Sequence, residues 1–248
     1  MPPQDQATRL LEKTVNHYAG AAEELARRLP GWAGKIHSTP DLKRLTDTAC
    51  FSSDLRVRAA ALEIWLAQDN IRKTPQTVDD LVGEAASTDE RRYYRLSILG
   101  ILGNRGVEPE KVFQTLSLYA HDPSGSTRAA AINGLGLLGT EDTIPVLLEI
   151  LRGDSSYDLR ERAACNLADS GMLSRDLRQH AVSEPIRFLQ DRSLDQTTRK
   201  WVLQALREIA QENLPDDPVA RLSADTGDAP RRPARPGRPS PPPAATAD

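Results

Sequence analysis

The sequence predicts an all-α protein, a right-handed α-solenoid (superhelix) of about five helical hairpins, on three observations. Arg58, Arg92, Arg128, Arg160 and Arg199 recur at intervals of 34, 36, 32 and 39 residues, a period in the range of helical repeats. Each arginine opens the same apolar pattern. Leu62 and Trp65, Leu96 and Leu99, Ile132 and Leu135, Ala164 and Leu167, and Leu203 and Leu206 lie four and seven residues on, which is one face of a 3.6-residue helix. No stretch alternates polar and apolar residues as a half-buried strand would. Repeats of this kind bury their apolar faces only against neighbours, so they stack into a one-dimensional array.

In chain order, residues 4–29 read as a long helix with Leu10, Leu11, Val15, Tyr18, Ala22 and Leu25 near one face. Residues 1–38 are expected to cap the first hairpin, because a terminal repeat must cover its open apolar side. A second amphipathic segment precedes each arginine helix. Thr39-Pro40 opens 41–50, with Leu42 and Leu45 inward. Residues 77–86 present Val78, Leu81, Val82 and Ala85. Residues 108–120 present Val112, Phe113, Leu116 and Tyr119. Residues 141–151 present Ile144, Leu147, Leu148 and Leu151, with Pro145 tolerated in the first turn. Residues 174–190 present Leu177, Ala181, Ile186 and Leu189, with a kink expected at Pro185. Pairing segments with the arginine helices that follow gives hairpins at 39–69, 74–105, 108–139, 141–171 and 174–210, within a solenoid spanning 39–213.

The joints carry the matching punctuation. Gly103, Gly139 and Gly171 each lie eleven residues after their arginine, where a helix ends on a left-handed residue. Asp54, Asp89, Asp122, Asp158 and Asp195 stand before the arginine helices, where a carboxylate caps free backbone N–H groups. Residues 214–248 differ in kind. Seven of the 18 prolines fall between Pro230 and Pro243, and no large apolar residue follows Leu222. Such a segment buries too little surface to offset the entropy of ordering, so a disordered Pro/Arg-rich tail is expected. It reads as an inert extension or as a polyproline segment recruiting an SH3-like or acidic partner.

Composition narrows the function. The net charge is −3, and setting aside the last 23 residues leaves 28 basic against 33 acidic residues. A body of that balance lacks the basic stripe that grips a phosphate backbone, so no nucleic acid is expected. No apolar run approaches the ~18 residues that span a bilayer, and the start lacks a signal peptide's basic and apolar regions. Cys50 and Cys165 stand too far apart in an array to pair; they read as buried thiols in a reducing compartment. The expectation is a cytoplasmic protein without a membrane partner, although a chain trimmed of an export signal would read the same.

The clearest repeat runs Thr143-Ile144-Pro145-Val146-Leu147-Leu148-Glu149-Ile150-Leu151, then Asp154, then Arg160 and the helix to Gly171. It resembles the HEAT repeat, in particular the bacterial, phycobilisome-lyase-like type, and the likeness extends over residues 39–210. That resemblance implies HEAT-like hairpins with the Ile-Pro-x-Leu-Leu helix on the convex side and the arginine helix lining the concave side. It says little about activity.

A row of arginines suits an acidic ligand, but an aspartate stands near each, so an ion-pair ladder between adjacent repeats is the stronger reading. His17, His37, His121 and His180 are scattered, with no His-x3-His or Cys-x2-Cys pair, so no metal or cofactor is expected. Deoxyhypusine hydroxylase resembles the chain in architecture, yet its di-iron site depends on His-Glu pairs and no histidine here precedes a glutamate. DNA glycosylases built from such repeats have a basic, aromatic groove unlike this acidic body. The glycines of 134–139 sit at helical spacing in an apolar helix, which fits close packing better than a phosphate loop. No Gly-x-Ser-x-Gly occurs, and Cys165 has no His/Asp set in its own hairpin.

The repeats differ most just after each arginine, where the pairs are Ala59-Ala60, Tyr93-Tyr94, Ala129-Ala130, Glu161-Arg162 and Lys200-Trp201. Free variation there suggests a surface. Tyr93, Tyr94, Arg162 and Trp201 are the candidate partner-binding residues, with Glu63, Asn133 and Gln204 near the polar edge, since Tyr, Trp and Arg dominate interface hot spots. The competing reading packs Tyr94 and Trp201 between repeats. The expected function is a non-catalytic scaffold binding a protein or peptide on its concave face. The alternative is a lyase-like accessory enzyme or enzyme subunit acting on a bound cofactor or protein substrate, for which a perturbed acid or Cys165 in a pocket would speak.

Overall fold

The protein is described by a computed structural model covering residues 1–87 and 91–210. Asp89 and the tail expected from residue 214 lie outside the described residues. Within them the chain is entirely helical and forms an α-solenoid of five hairpins: α3 (Pro40–Cys50) with α4 (Leu55–Gln68), α5 (Pro75–Ala85) with α6 (Arg92–Asn104), α7 (Pro109–Ala120) with α8 (Gly125–Leu138), α9 (Thr143–Gly153) with α10 (Tyr157–Cys165), and α11 (Arg175–His180) plus α12 (Ser183–Gln190) with α13 (Gln196–Ala210). A π turn, Asn166–Ser170, continues α10. No helix among the described residues is long and apolar enough to cross a membrane.

Local chemistry sets the starts. Thr39, Thr74, Ser124 and Ser174 each accept a backbone N–H of the first turn, and Pro40 and Pro75 occupy positions whose missing N–H costs nothing. Asp54 caps α4 through the Arg56 N–H, and Asp195 accepts from the Thr198 N–H. Asp158 instead lies inside the first turn of α10.

Three expectations need correction. The N-terminal helix is two helices, α1 (Pro3–Val15) and α2 (Ala21–Arg28), reversed through His17 and Gly20 at φ 56° and 75°. Folding back lets Leu11 and Leu25 share one core with α3 and α4, whereas a straight helix would carry half its apolar stripe past the hairpin. Tyr18, in the turn, is exposed. The 174–190 segment breaks at Ala181–Val182, one turn before Pro185, because the proline cannot donate to the Ala181 carbonyl. Of the three glycines, only Gly139 ends its helix left-handed, at φ 61°. Gly103 stays inside α6, where a Cβ would come within 2.7 Å of Leu138 Cδ1, and Gly171 is extended, its Cβ direction 2.8 Å from the Gly136 carbonyl oxygen. Both are small because neighbouring elements press on them.

Backbone presses closely on backbone where α6 meets α8: a Cβ on Gly100 would lie 2.2 Å from the Gly134 carbonyl oxygen. The glycines of 134–136 are therefore sites of close helix packing.

The arginines tie each repeat to the next. Arg92 donates to Thr127 Oγ1 at 3.2 Å, Arg128 to both Asp154 oxygens at 2.8 and 3.1 Å, and Arg160 to Asp195 Oδ2 at 2.7 Å. Each also binds a carbonyl of its own turn: Ser87, Asp122 and Asp154. Removing Arg128 strands the buried Asp154 carboxylate, so Arg128→Ala should cost about 2 kcal/mol and lower Tm by about 5 °C in a scanning calorimeter. Burial alone would raise the Asp154 pKa. The Arg128 hydrogen bond, the Ser156 N–H and the charges of Arg128 and Arg160 outweigh it and hold the carboxyl below its ordinary range. A depressed pKa gives stability that is complete above the unfolded-state value, about 4, and is lost as pH falls through the folded one. Asp154→Asn should flatten this acid limb.

Arg58 breaks the ladder. It lies 5% exposed and donates to the Ser52 carbonyl, to the Asp169 carbonyl at 2.5 Å and to the Gly171 carbonyl. Further along α4, Glu63 pairs with Lys73 at 2.8 Å and with Arg105, which follows α6. At the end of α4, Asp69 accepts the Tyr94 hydroxyl at 2.6 Å, in the first turn of α6. Successive residues of α4 thus meet Gly171, then the end of α6, then its start. The first hairpin runs across its neighbours where the later ones stack start to start. Its Val57, Ala60, Ala61, Ile64 and Ala67 face the N-terminal core, leaving Arg58, Leu62, Glu63 and Leu66, also buried, for its other sides.

Candidate functional site

The crossing of α4 creates an open groove of about 910 Å³ lined by α4, α6, α8, α10 and the π turn. From α4 come Trp65 and Asp69, from α6 Tyr93, Tyr94, Ser97, Ile98 and Ile101, from α8 Asn133 and Leu137, and from α10 and its continuation Asp158, Glu161, Arg162, Cys165, Asn166 and Ser170. Ile98 and Ile101 are buried and form an apolar floor, while Trp65, Tyr93 and Tyr94 remain 36%, 49% and 40% exposed. Three large aromatics from two helices are thus left partly open around one cavity.

A polar chain crosses three repeats. Asn133 Nδ2 donates to the Tyr93 hydroxyl, and Arg162 Nη1 donates to Asn133 Oδ1 at 3.1 Å. Asn133 is thereby satisfied on both ends of its amide, which orients Tyr93 and Arg162. Tyr94 is held by Asp69, and burial followed by that carboxylate raises its phenol pKa well above the ordinary value. It is therefore a hydrogen-bond donor at any physiological pH. Asp158 and Glu161, three residues apart, share one face of α10.

Cys165 is half-buried in the same groove. Burial, then the charges of Glu208 and Glu161, raise its pKa above the ordinary cysteine value. Cys50 lies outside the groove, its thiol pushed up to about 11 by burial and Asp47. Both are thiols at neutral pH, the poorly nucleophilic form. Among the described residues no group of three His, Cys, Asp or Glu is placed to hold a metal ion.

Of the sequence-selected residues, Tyr93, Tyr94, Arg162 and Asn133 come together. Trp201 does not join them; it is partly buried on α13, with its indole N–H lacking a partner among the described residues. Gln204 is exposed and bonds Glu208 on its own helix. Glu63 is buried in an ion pair and lies at no exposed edge. Trp65 is the residue that the repeat pattern concealed: it occupies a core position in the period, and its aromatic ring among aliphatic equivalents was the available signal. A second, apolar cavity of about 790 Å³ lies between α9 and the α11–α12 pair, lined by Ile144, Pro145, Leu148 and Phe188.

Residues 79–168, from within α5 to the π turn, match the family model of HEAT repeats. Two solved crystal structures of engineered proteins are also similar. One shares 16% identity over 83% of this chain and 96% of its own, with a TM-score of 0.37. The other shares 16% identity over 90% of this chain and 62% of its own, with a TM-score of 0.36. No curated protein matches the chain.

Proposed function

We propose that this chain is a non-catalytic scaffold that binds a protein or peptide segment in the groove between α4, α6, α8 and α10. HEAT-repeat solenoids commonly serve as protein-binding scaffolds, and the single observation that carries the reading here is the constellation of Trp65, Tyr93, Tyr94 and Arg162 around one open cavity. These are the side-chain types that anchor interfaces, and the buried floor beside them excludes water from a bound segment.

A second reading, the lyase-like accessory enzyme implied by the finer family resemblance, is favoured by the presence of Cys165 beside Asp158 and Glu161. The direction of its pKa opposes it, because burial, and after it the Glu208 and Glu161 carboxylates, make the thiolate harder to form.

The test compares full-length wild type with Tyr93→Ala, Trp65→Ala, Arg162→Ala and Trp201→Ala as bait in extracts of the native host, with quantitative mass spectrometry. Tyr93→Ala and Trp65→Ala should each reduce capture of a specific partner by roughly 30-fold, the effect of losing a hot spot of about 2 kcal/mol. Their melting temperatures should stay within about 2 °C of wild type, as for other exposed sites. Trp201→Ala should retain the partner. A partner held equally by all four variants would place binding elsewhere.

A further inference from the structure

The charge of the groove defines its partner further. Several carboxylates elsewhere in the array are matched: Asp154 by Arg128, Asp195 by Arg160, Glu63 by Lys73, and Glu84 by Arg95. Asp69, Asp158 and Glu161 have no ion-pair partner among the described residues, although all three line one cavity. The single guanidinium there, Arg162, gives Nη1 to Asn133. Carboxylates gathered on a concave wall focus a negative field, and three aromatic faces beside them attract a cation through their quadrupoles. Both features favour the same kind of guest.

Resting on the peptide-binding reading above, we infer that the groove takes a basic segment, seating a lysine or arginine side chain against Trp65, Tyr93 and Tyr94 and pairing its charge with Asp158 and Glu161. Arginine fits best, since a guanidinium stacks on an aromatic face while its N–H edges reach carboxylates. The spacing of Asp158 and Glu161 on one helical face lets a single cation meet both. Anionic partners, including phosphorylated segments and nucleic acid, meet like charge here and are disfavoured.

The experiment pans a displayed library of random dodecapeptides against the immobilised full chain and then measures enriched peptides by fluorescence anisotropy. The panel is wild type, Tyr93→Ala and the double variant Asp158→Asn/Glu161→Gln. Enriched peptides should carry arginine or lysine, lose affinity at least about tenfold when that residue becomes citrulline or alanine, and lose a similar factor in the double variant. Affinity should fall between low and high salt. The citrulline comparison decides the matter on wild-type protein even if the double variant folds poorly. Peptides that need Tyr93 but are uncharged, acidic or indifferent to citrulline overturn this inference and leave the groove a peptide site. Absence of enrichment, or binding indifferent to Tyr93→Ala, overturns both readings.

Discussion

Arg58→Ala is expected to cost about 3 to 4 kcal/mol, the effect of deleting a buried charge that satisfies several carbonyl oxygens, and to lower Tm by about 10 °C. The guanidinium holds the carbonyls of Ser52, Asp169 and Gly171 together, joining the first hairpin to the end of the fourth across more than a hundred residues. Without it the Gly171 oxygen stays buried and unpaired, and α4 loses its tie to the fourth repeat. Arg58→Lys keeps the charge but has one nitrogen for three separated acceptors, so it should recover less than half of the loss. Urea unfolding measures the cost. Hydrogen exchange gives the location, because the Met172 N–H, bonded to the Gly136 carbonyl at 2.7 Å beside this joint, should exchange faster. An unchanged urea midpoint would show that the first hairpin needs no such tie.

Gly100→Ala is the second large effect. The added methyl would sit 2.2 Å from the Gly134 carbonyl oxygen and 2.9 Å from its Cα, both backbone atoms of α8, so the helices must separate. Overpacking of this kind costs about 3 kcal/mol. The same separation pulls Tyr93 on α6 from Asn133 on α8, so peptide binding should weaken together with stability. Gly83→Ala provides the opposite sign. Among the described residues nothing lies within 4 Å of a Cβ at that position inside α5, and the better helix former should gain about 0.5 to 1 kcal/mol. Equal effects of the two substitutions in urea unfolding would exclude a packed backbone contact at Gly100.

Much of the architecture is readable in the chain because it rests on signals a few residues long. The +4 and +7 apolar positions after each arginine, the Thr-Pro starts and the Ser caps act within one or two helical turns, and those elements lie where their patterns put them. Tyr93, Tyr94 and Arg162 also stand out locally, as departures beside an invariant arginine. Residues whose role depends on distant neighbours read otherwise. Gly103 looks like a helix end until Leu138 is seen pressing on it, and Tyr18 looks like part of a stripe until the chain reverses at His17.

The α4 crossing is the clearest case. Its sequence is an ordinary arginine helix, with Trp65 at a core position and Glu63 at a polar edge. Its orientation is set by where Asp169, Gly171, Arg105 and Tyr94 come to lie, which depends on three intervening hairpins. Periodicity reports that a face is buried without naming what buries it. The repeat, its punctuation and its candidate anchors are properties of neighbouring residues along the chain. The groove, with its unmatched carboxylates and its aromatic wall, exists because long-range hydrogen bonds turn one repeat against the rest.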